Sequence, residues 1–150
     1  MRTLLLILIT GFMFSVPAVH SQTKLSDADR QAITQTALDY VEGWYEANPE
    51  RMERALHPDL AKRVVFTDEK GRSRLDQMSA MGLVLGVRRG GGKDIPKEKQ
   101  QKDITILDVF ENAASVKAVM SGWIDYMHIA KVNGRWVIVN VLWALKPRPE

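Results

Sequence analysis

W-I-D-Y-M-H-I-A-K-V-N-G-R-W-V-I-V-N-V-L-W, from Trp123 to Trp143, decides how the rest of this chain is read. Asn133-Gly134 lies between two runs rich in β-branched and aromatic residues, and a type I′ turn needs positive φ at both central positions, so the stretch predicts a β-hairpin. Pairing Val132 with Arg135 sets His128 opposite Val139, Tyr126 opposite Val141, Ile124 opposite Trp143, Met127 opposite Asn140 and Asp125 opposite Leu142. Alternation then gives one face with Tyr126, His128, Val137, Val139, Val141 and Trp143. The other face carries Asp125, Met127, Ile129, Trp136, Ile138, Asn140 and Leu142. Both faces are rich in large apolar groups, so the hairpin needs two partners: the chain's own helices on one side, and a second subunit or another layer on the other.

Further strand signals precede it. Asp103 to Glu111 is joined through Asn112-Ala113 to Ala114 to Met120, and Ser121-Gly122 suits a bulge or bend before Trp123. The C-terminal third is therefore expected to be a three-stranded antiparallel meander. Upstream, Ser26 is a good helix N-cap, and Ile33, Ala37, Tyr40, Val41 and Trp44 follow at helical spacing to near Asn48. Asn48-Pro49 begins a second helix with Met52, Ala55 and Leu56, which His57-Pro58 breaks. Leu60 opens a further short turn. A small hairpin about Lys70-Gly71, a third helix over Gln77 to Val87 and a polar loop from Lys93 to Lys102 complete the reading.

With 150 residues and 45% hydrophobic content, the composition fits one globular domain. Met1-Arg2 and the apolar run to Val16 read as a secretory signal peptide, cut after Ser21, leaving a domain over residues 22–150 and implying a periplasmic or secreted protein. The absence of cysteine is compatible with a bacterial periplasm. Without the signal there are 21 − 1 = 20 basic and 18 acidic residues, a net charge near +2 that gives no case for a nucleic-acid partner, or for a membrane partner after cleavage. Arg88-Arg89-Gly90-Gly91-Gly92-Lys93 invites a phosphate-loop reading. A P-loop, however, needs Gly and Ser or Thr where Val87 and Asp94 stand, so the segment is expected to be a flexible solvated loop.

Helices first, then a short hairpin and helix, then a curved meander ending in G-x-W-x-I is similar to the nuclear transport factor 2-like (NTF2-like) superfamily. His57-Pro58 with Leu60 and Lys62, Met78-Ser79-Ala80-Met81, Asp125-Tyr126-x-His128 and Trp136-x-Ile138-x-Asn140-Val141-Leu142-Trp143 resemble the bacterial group described as putative lumazine-binding proteins. The resemblance covers essentially the whole mature chain. It implies a cone-shaped α+β fold, with N-terminal helices packed on a curved antiparallel sheet, commonly dimeric through the sheet, with a pocket between helices and sheet. Fold alone does not carry function.

His57 and His128 are the only histidines after the signal, too few for a three-ligand zinc site, and no metal or cofactor motif is present. On the favoured face, His128 would be a proton-transfer group beside Tyr126, with Trp143 on the same face, Tyr40 and Trp44 from the first helix and His57 at the rim. Asp125, travelling with Asn140, is the alternative base; otherwise it bonds Asn140 or pairs with Lys131 or Lys117 to hold register. The face with Trp136, Ile138 and Leu142 would then form a homodimer. Three readings follow: an exported protein binding a small apolar or aromatic ligand; a cofactor-free lyase, isomerase or cyclase using His128 or Asp125 as base and Tyr126 as hydrogen-bond donor; or a structural dimerisation domain. Lys62 and Arg63 read as solvated.

Overall fold

The computed structural model describes residues 25–147, so the expected signal peptide lies outside the described residues. Three helices, α1 (Asp27–Tyr45), α2 (Pro49–Ala55) and α3 (Ala80–Arg88), pack against one sheet of β1 (Leu56–Thr67), β2 (Ser73–Ser79), β3 (Lys102–Phe110), β4 (Ala113–Met120), β5 (Trp123–Val132) and β6 (Arg135–Leu145). The strand order is β2-β1-β6-β5-β4-β3.

Local chemistry starts each helix. Ser26 Oγ accepts from Asp29 N at 3.0 Å, Asn48 Oδ1 accepts from Arg51 N at 2.9 Å ahead of Pro49, and Ser79 Oγ accepts from Gly82 N at 3.2 Å. Along α1, Ile33, Ala37, Tyr40 and Val41 form the stripe that packs on the sheet. They meet Met127 and Ile129 of β5 and Ile138 and Val141 of β6, all buried in one core.

Several expectations need correction. The meander has four strands, the four runs named from the sequence and not the three counted from them, and it reverses between β3 and β4 where Glu111 takes a φ of 49°. The sheet is mixed: β1 runs parallel to β6, with Ala61 opposite Asn140 and Val64 opposite Trp143. His57 and Pro58 therefore lie in a strand rather than at a helix stop, and the pairing is irregular between Leu56 and Ala61, where a proline without an N–H is tolerated. The third helix starts at Ala80; Gln77 and Met78 belong to β2, paired with Arg63 and Lys62.

The decisive correction is in the hairpin. Its turn is as expected, with Asn133 at φ 50° and Gly134 at 79°. Val132 pairs with Arg135 and Ile129 with Ile138, but His128 then pairs with Asn140, Tyr126 with Leu142 and Asp125 with Trp143. Val139 is the extra residue of a β-bulge, and from it onward the facing of β6 is inverted relative to strict alternation. Trp143 and Val141 turn to the helix side with Asp125, while Asn140 and Leu142 turn outward with His128 and Tyr126. Trp136 and Ile138 are buried under the helices, and so cannot be a dimer surface.

Asp29 fastens the N-terminus of α1 to the hairpin, accepting from Lys131 Nζ at 2.7 Å, Trp136 Nε1 at 2.8 Å and Ser26 Oγ at 2.9 Å. These bonds, that from Lys131 foremost, hold its carboxyl pKa at about 2 instead of 3.8. A carboxyl with a depressed folded pKa stabilises fully above its unfolded value and loses that contribution as pH falls through the folded one. Circular-dichroism melts of Asp29→Asn should therefore show a lower Tm at neutral pH and a shallower fall than the parent as pH drops from 3.8 towards about 2. Parallel profiles across that window would show that Asp29 carries none of the acid sensitivity.

Candidate functional site

An apolar cavity of about 240 Å³ opens between the helices and the inner sheet face. Tyr40 and Trp44, four apart on α1, project into it from one side, and Trp123 and Trp143 close the other. Met78, Leu83, Met120 and Leu145 complete the wall, with Met78 and Leu145 substantially exposed. The three indoles meet edge to face, Trp44 on Trp123 with centroids 5.7 Å apart and Trp123 on Trp143 at 6.5 Å.

The wall is almost wholly apolar, and two of its residues, Lys62 and Tyr40, have polar ends that are buried and bonded to each other and to Asp125. Lys62 Nζ donates to Asp125 Oδ1 and to Tyr40 Oη, each at 2.6 Å. Tyr40 Oη donates to Asp125 Oδ2 at 3.3 Å, and Trp123 Nε1 donates to the same oxygen at 3.1 Å. Asp125 is fully buried and Lys62 is 6% exposed. The ammonium also stands over the ring of Trp143, at 4.9 Å. Burial lowers the Lys62 pKa, with the Asp125 carboxylate opposing it incompletely. Burial, reinforced by the same carboxylate, raises the Tyr40 phenol far above its usual value of 10.0, so the hydroxyl remains a proton donor at any physiological pH.

Tyr40, Trp44 and Trp143 line the cavity, but it lies on the Asp125 face of the sheet and not on the Tyr126 and His128 face favoured from the sequence, with Asp125 directly behind Lys62 and Tyr40. Trp143 arrives there on Asp125's face, not on that of His128. Tyr126 and His128 point to the opposite, outer face, with Tyr126 46% exposed. Asn140 goes with them, accepting from Arg63 Nη1 at 3.1 Å and standing 3.4 Å from His128 Nδ1. His57 lines a separate cleft beside Arg54, Met81 and Arg135, and its Nδ1 accepts from Asp59 N at 3.1 Å. Asp125 takes its bonds from Lys62, Tyr40 and Trp123, and pairs with none of Asn140, Lys131 and Lys117.

Lys62 is the residue that sequence reasoning missed. Its signal was present: Leu60, Lys62 and Val64 alternate along one strand face, and all three are buried. The glycine run was misread as well. Gly92 N donates to Trp44 O at 2.9 Å, and a Cβ on Gly92 would fall 2.5 Å from Trp44 Nε1. That Nε1 is buried and has no hydrogen-bond partner among the described residues. The loop is thus the backing of the Trp44 indole, and its lack of side chains allows the approach.

Among the described residues no three His, Asp or Glu side chains gather as metal donors, and no helix is long and apolar enough to cross a membrane.

Three helices packed against a six-stranded mixed sheet, with a cavity at their junction, make an α+β fold of the kind seen in NTF2-like proteins. The family model described as "Putative lumazine-binding" matches residues 28–144, and the chain belongs to that family. Solved structures agree on the fold. An NTF2-like protein of unknown function from Methylobacillus flagellatus KT is 22% identical with a TM-score of 0.63, covering 84% of this chain and 98% of its own. Another from Shewanella baltica OS155 is 19% identical, TM-score 0.61, covering 84% and 100%. A structure named putative scytalone dehydratase, from Novosphingobium aromaticivorans DSM 12444, is 14% identical, TM-score 0.53, covering 80% and 85%. No curated protein matches the chain.

Breaking a buried ion pair from one side leaves an uncompensated charge, at a cost of ~3–5 kcal/mol. Lys62→Met is expected to lose about that much in urea unfolding, and Lys62→Met with Asp125→Leu to recover most of it. Additive losses in the double variant would mean that the two side chains act independently.

Proposed function

We propose that this protein binds a small, uncharged, mainly aromatic ligand in the cavity between α1 and the inner sheet face. The observation that carries this reading is an almost wholly apolar, indole-lined wall whose residues include Lys62 and Tyr40 with their bonded polar ends. Ligand sites are commonly of this kind, apolar surface for affinity and a few polar groups for orientation. A dry cavity of about 150 Å³ takes one benzene ring, so the 240 Å³ here accommodates a substituted ring. Lys62 and Asp125 already balance each other's charge, which favours a neutral ligand. The ammonium has three N–H donors; two are used by Asp125 and Tyr40, leaving one for an acceptor oxygen on the ligand. A pteridine such as lumazine carries donors and acceptors around its edge that this wall would leave unpaired, which favours a single apolar ring.

Three of the four tryptophans line the cavity. Benzyl alcohol or acetophenone should therefore change the intrinsic fluorescence saturably, and Leu83→Trp, which fills the cavity, should abolish the change. Absence of a saturable response in the unaltered protein would sink the ligand reading.

The proposal includes export and pairing of two copies. The N-terminal segment supports export. For pairing, the outer sheet face carries Tyr126, Leu142 and Val65, respectively 46%, 49% and 53% exposed, an apolar surface suited to a second copy of the sheet. Native mass spectra of protein taken from its producing cells should show a dimer of chains beginning at Gln22, and Leu142→Lys should give monomers. Monomeric parent protein would remove the pairing, and a chain still carrying Met1 would remove the cleavage.

A further inference from the structure

Lys62 is a buried primary amine on the wall of an apolar cavity, held by one carboxylate and one phenol. We propose that Lys62 is a carbonyl-reactive amine: the cavity takes up a small apolar aldehyde, and Lys62 condenses with it to a protonated imine whose counter-ion is Asp125. The inference rests on the ligand reading above and names the chemical class of ligand for the same site.

The surroundings suit each step. Lys62 Nζ passes a proton to Asp125 Oδ1, 2.6 Å away. The freed lone pair attacks the carbonyl carbon, the C=O π pair moves to oxygen, and that oxygen takes the proton from Asp125. The adduct nitrogen then returns a proton to Asp125, and its lone pair expels the hydroxyl, which leaves as water with that proton. The sum is R–NH3⁺ + R′CHO → R–NH⁺=CHR′ + H2O, with Asp125 ending as it began. No oxidant or reductant is needed, and the net charge does not change. The protonated imine replaces the ammonium beside the same carboxylate, so the buried ion pair survives the reaction, which removes the largest cost of chemistry on an enclosed charge.

Tyr40 supplies a donor for the carbonyl oxygen. Its hydroxyl bonds Asp125 Oδ2 at a long 3.3 Å, and Trp123 Nε1 holds that oxygen independently at 3.1 Å. The phenol proton can therefore turn to the ligand without leaving Oδ2 unpaired. Burial also lowers the lysine pKa, enlarging the fraction of free amine. Surface lysines differ in setting: the side chains of Lys131 and Lys102, 38% and 37% exposed, pair with Asp29 and Glu42.

The test uses the full protein with benzaldehyde and sodium cyanoborohydride at neutral pH, read by intact mass and peptide mapping. Benzyl alcohol binding, followed by fluorescence without reductant, runs beside it. One benzyl group should accumulate on Lys62 about tenfold or more faster than on any other lysine. Excess benzyl alcohol should slow this labelling, and Asp125→Asn should slow it while leaving surface labelling unchanged. Lys62→Arg, which keeps the charge, should lose the fast adduct while retaining the fold by circular dichroism. Benzyl alcohol binding with Lys62 labelled no faster than surface lysines would overturn the inference and leave the ligand reading standing. No binding of either compound would overturn both. Because mapping is done on the unaltered protein, the rate of Lys62 labelling against that of surface lysines decides the matter even where a variant fails to fold.

Discussion

Lys62 and Asp125 meet at 2.6 Å in the buried interior, and with Tyr40 they tie together β1, β5 and α1. Two charges taken out of water are costly, and only close geometry and full hydrogen bonding repay the cost. Asp125 meets that condition by accepting from Lys62, Tyr40 and Trp123. The same condition leaves few alternatives for the surroundings: β1 must lie parallel beside β6 to bring Lys62 across from the β5 carboxylate, and α1 must lie at the depth that brings the Tyr40 hydroxyl to both. The cavity is the space left above this node, with indoles around it and a cation at its base.

The bulge at Val139 is the second constraint. It lets β6 place Trp136 and Ile138 beneath the helices near the turn and Val141 and Trp143 on the same inner side beyond it. Without it, Trp143 would face outward and Asn140 inward, closing the cavity with an amide instead of an indole. The outward turn of Leu142 beside Tyr126 follows from the same inserted residue, so one irregularity in one strand composes both the ligand wall and the exposed apolar face.

The helix starts, the Asn133-Gly134 turn and the burial of the α1 stripe were legible because they are local: caps, positive φ and a period of 3.6 act over a few residues. The class of fold was legible for the same reason, through the order of elements. The interior lysine was half legible, since Leu60 and Val64 bracket it at strand spacing, yet a lone lysine is ordinarily solvated and the compensating carboxylate lies 63 positions away. The face of Trp143 was not legible, because nothing in V-I-V-N-V marks which residue is inserted. Val137, Val139 and Val141 are interchangeable as strand formers, and the choice is made by what packs against each.

By itself the sequence determined an α+β chain with capped N-terminal helices and a C-terminal meander reversing at Asn133-Gly134, since these depend on backbone preferences and on short-range periodicity. Only the tertiary structure decided that β1 joins β6 in parallel, that the meander bulges at Val139, and that Lys62, Tyr40 and Asp125 share one buried site. Those outcomes depend on desolvation and packing between residues far apart in the chain, and such forces exist only once the distant surfaces have met.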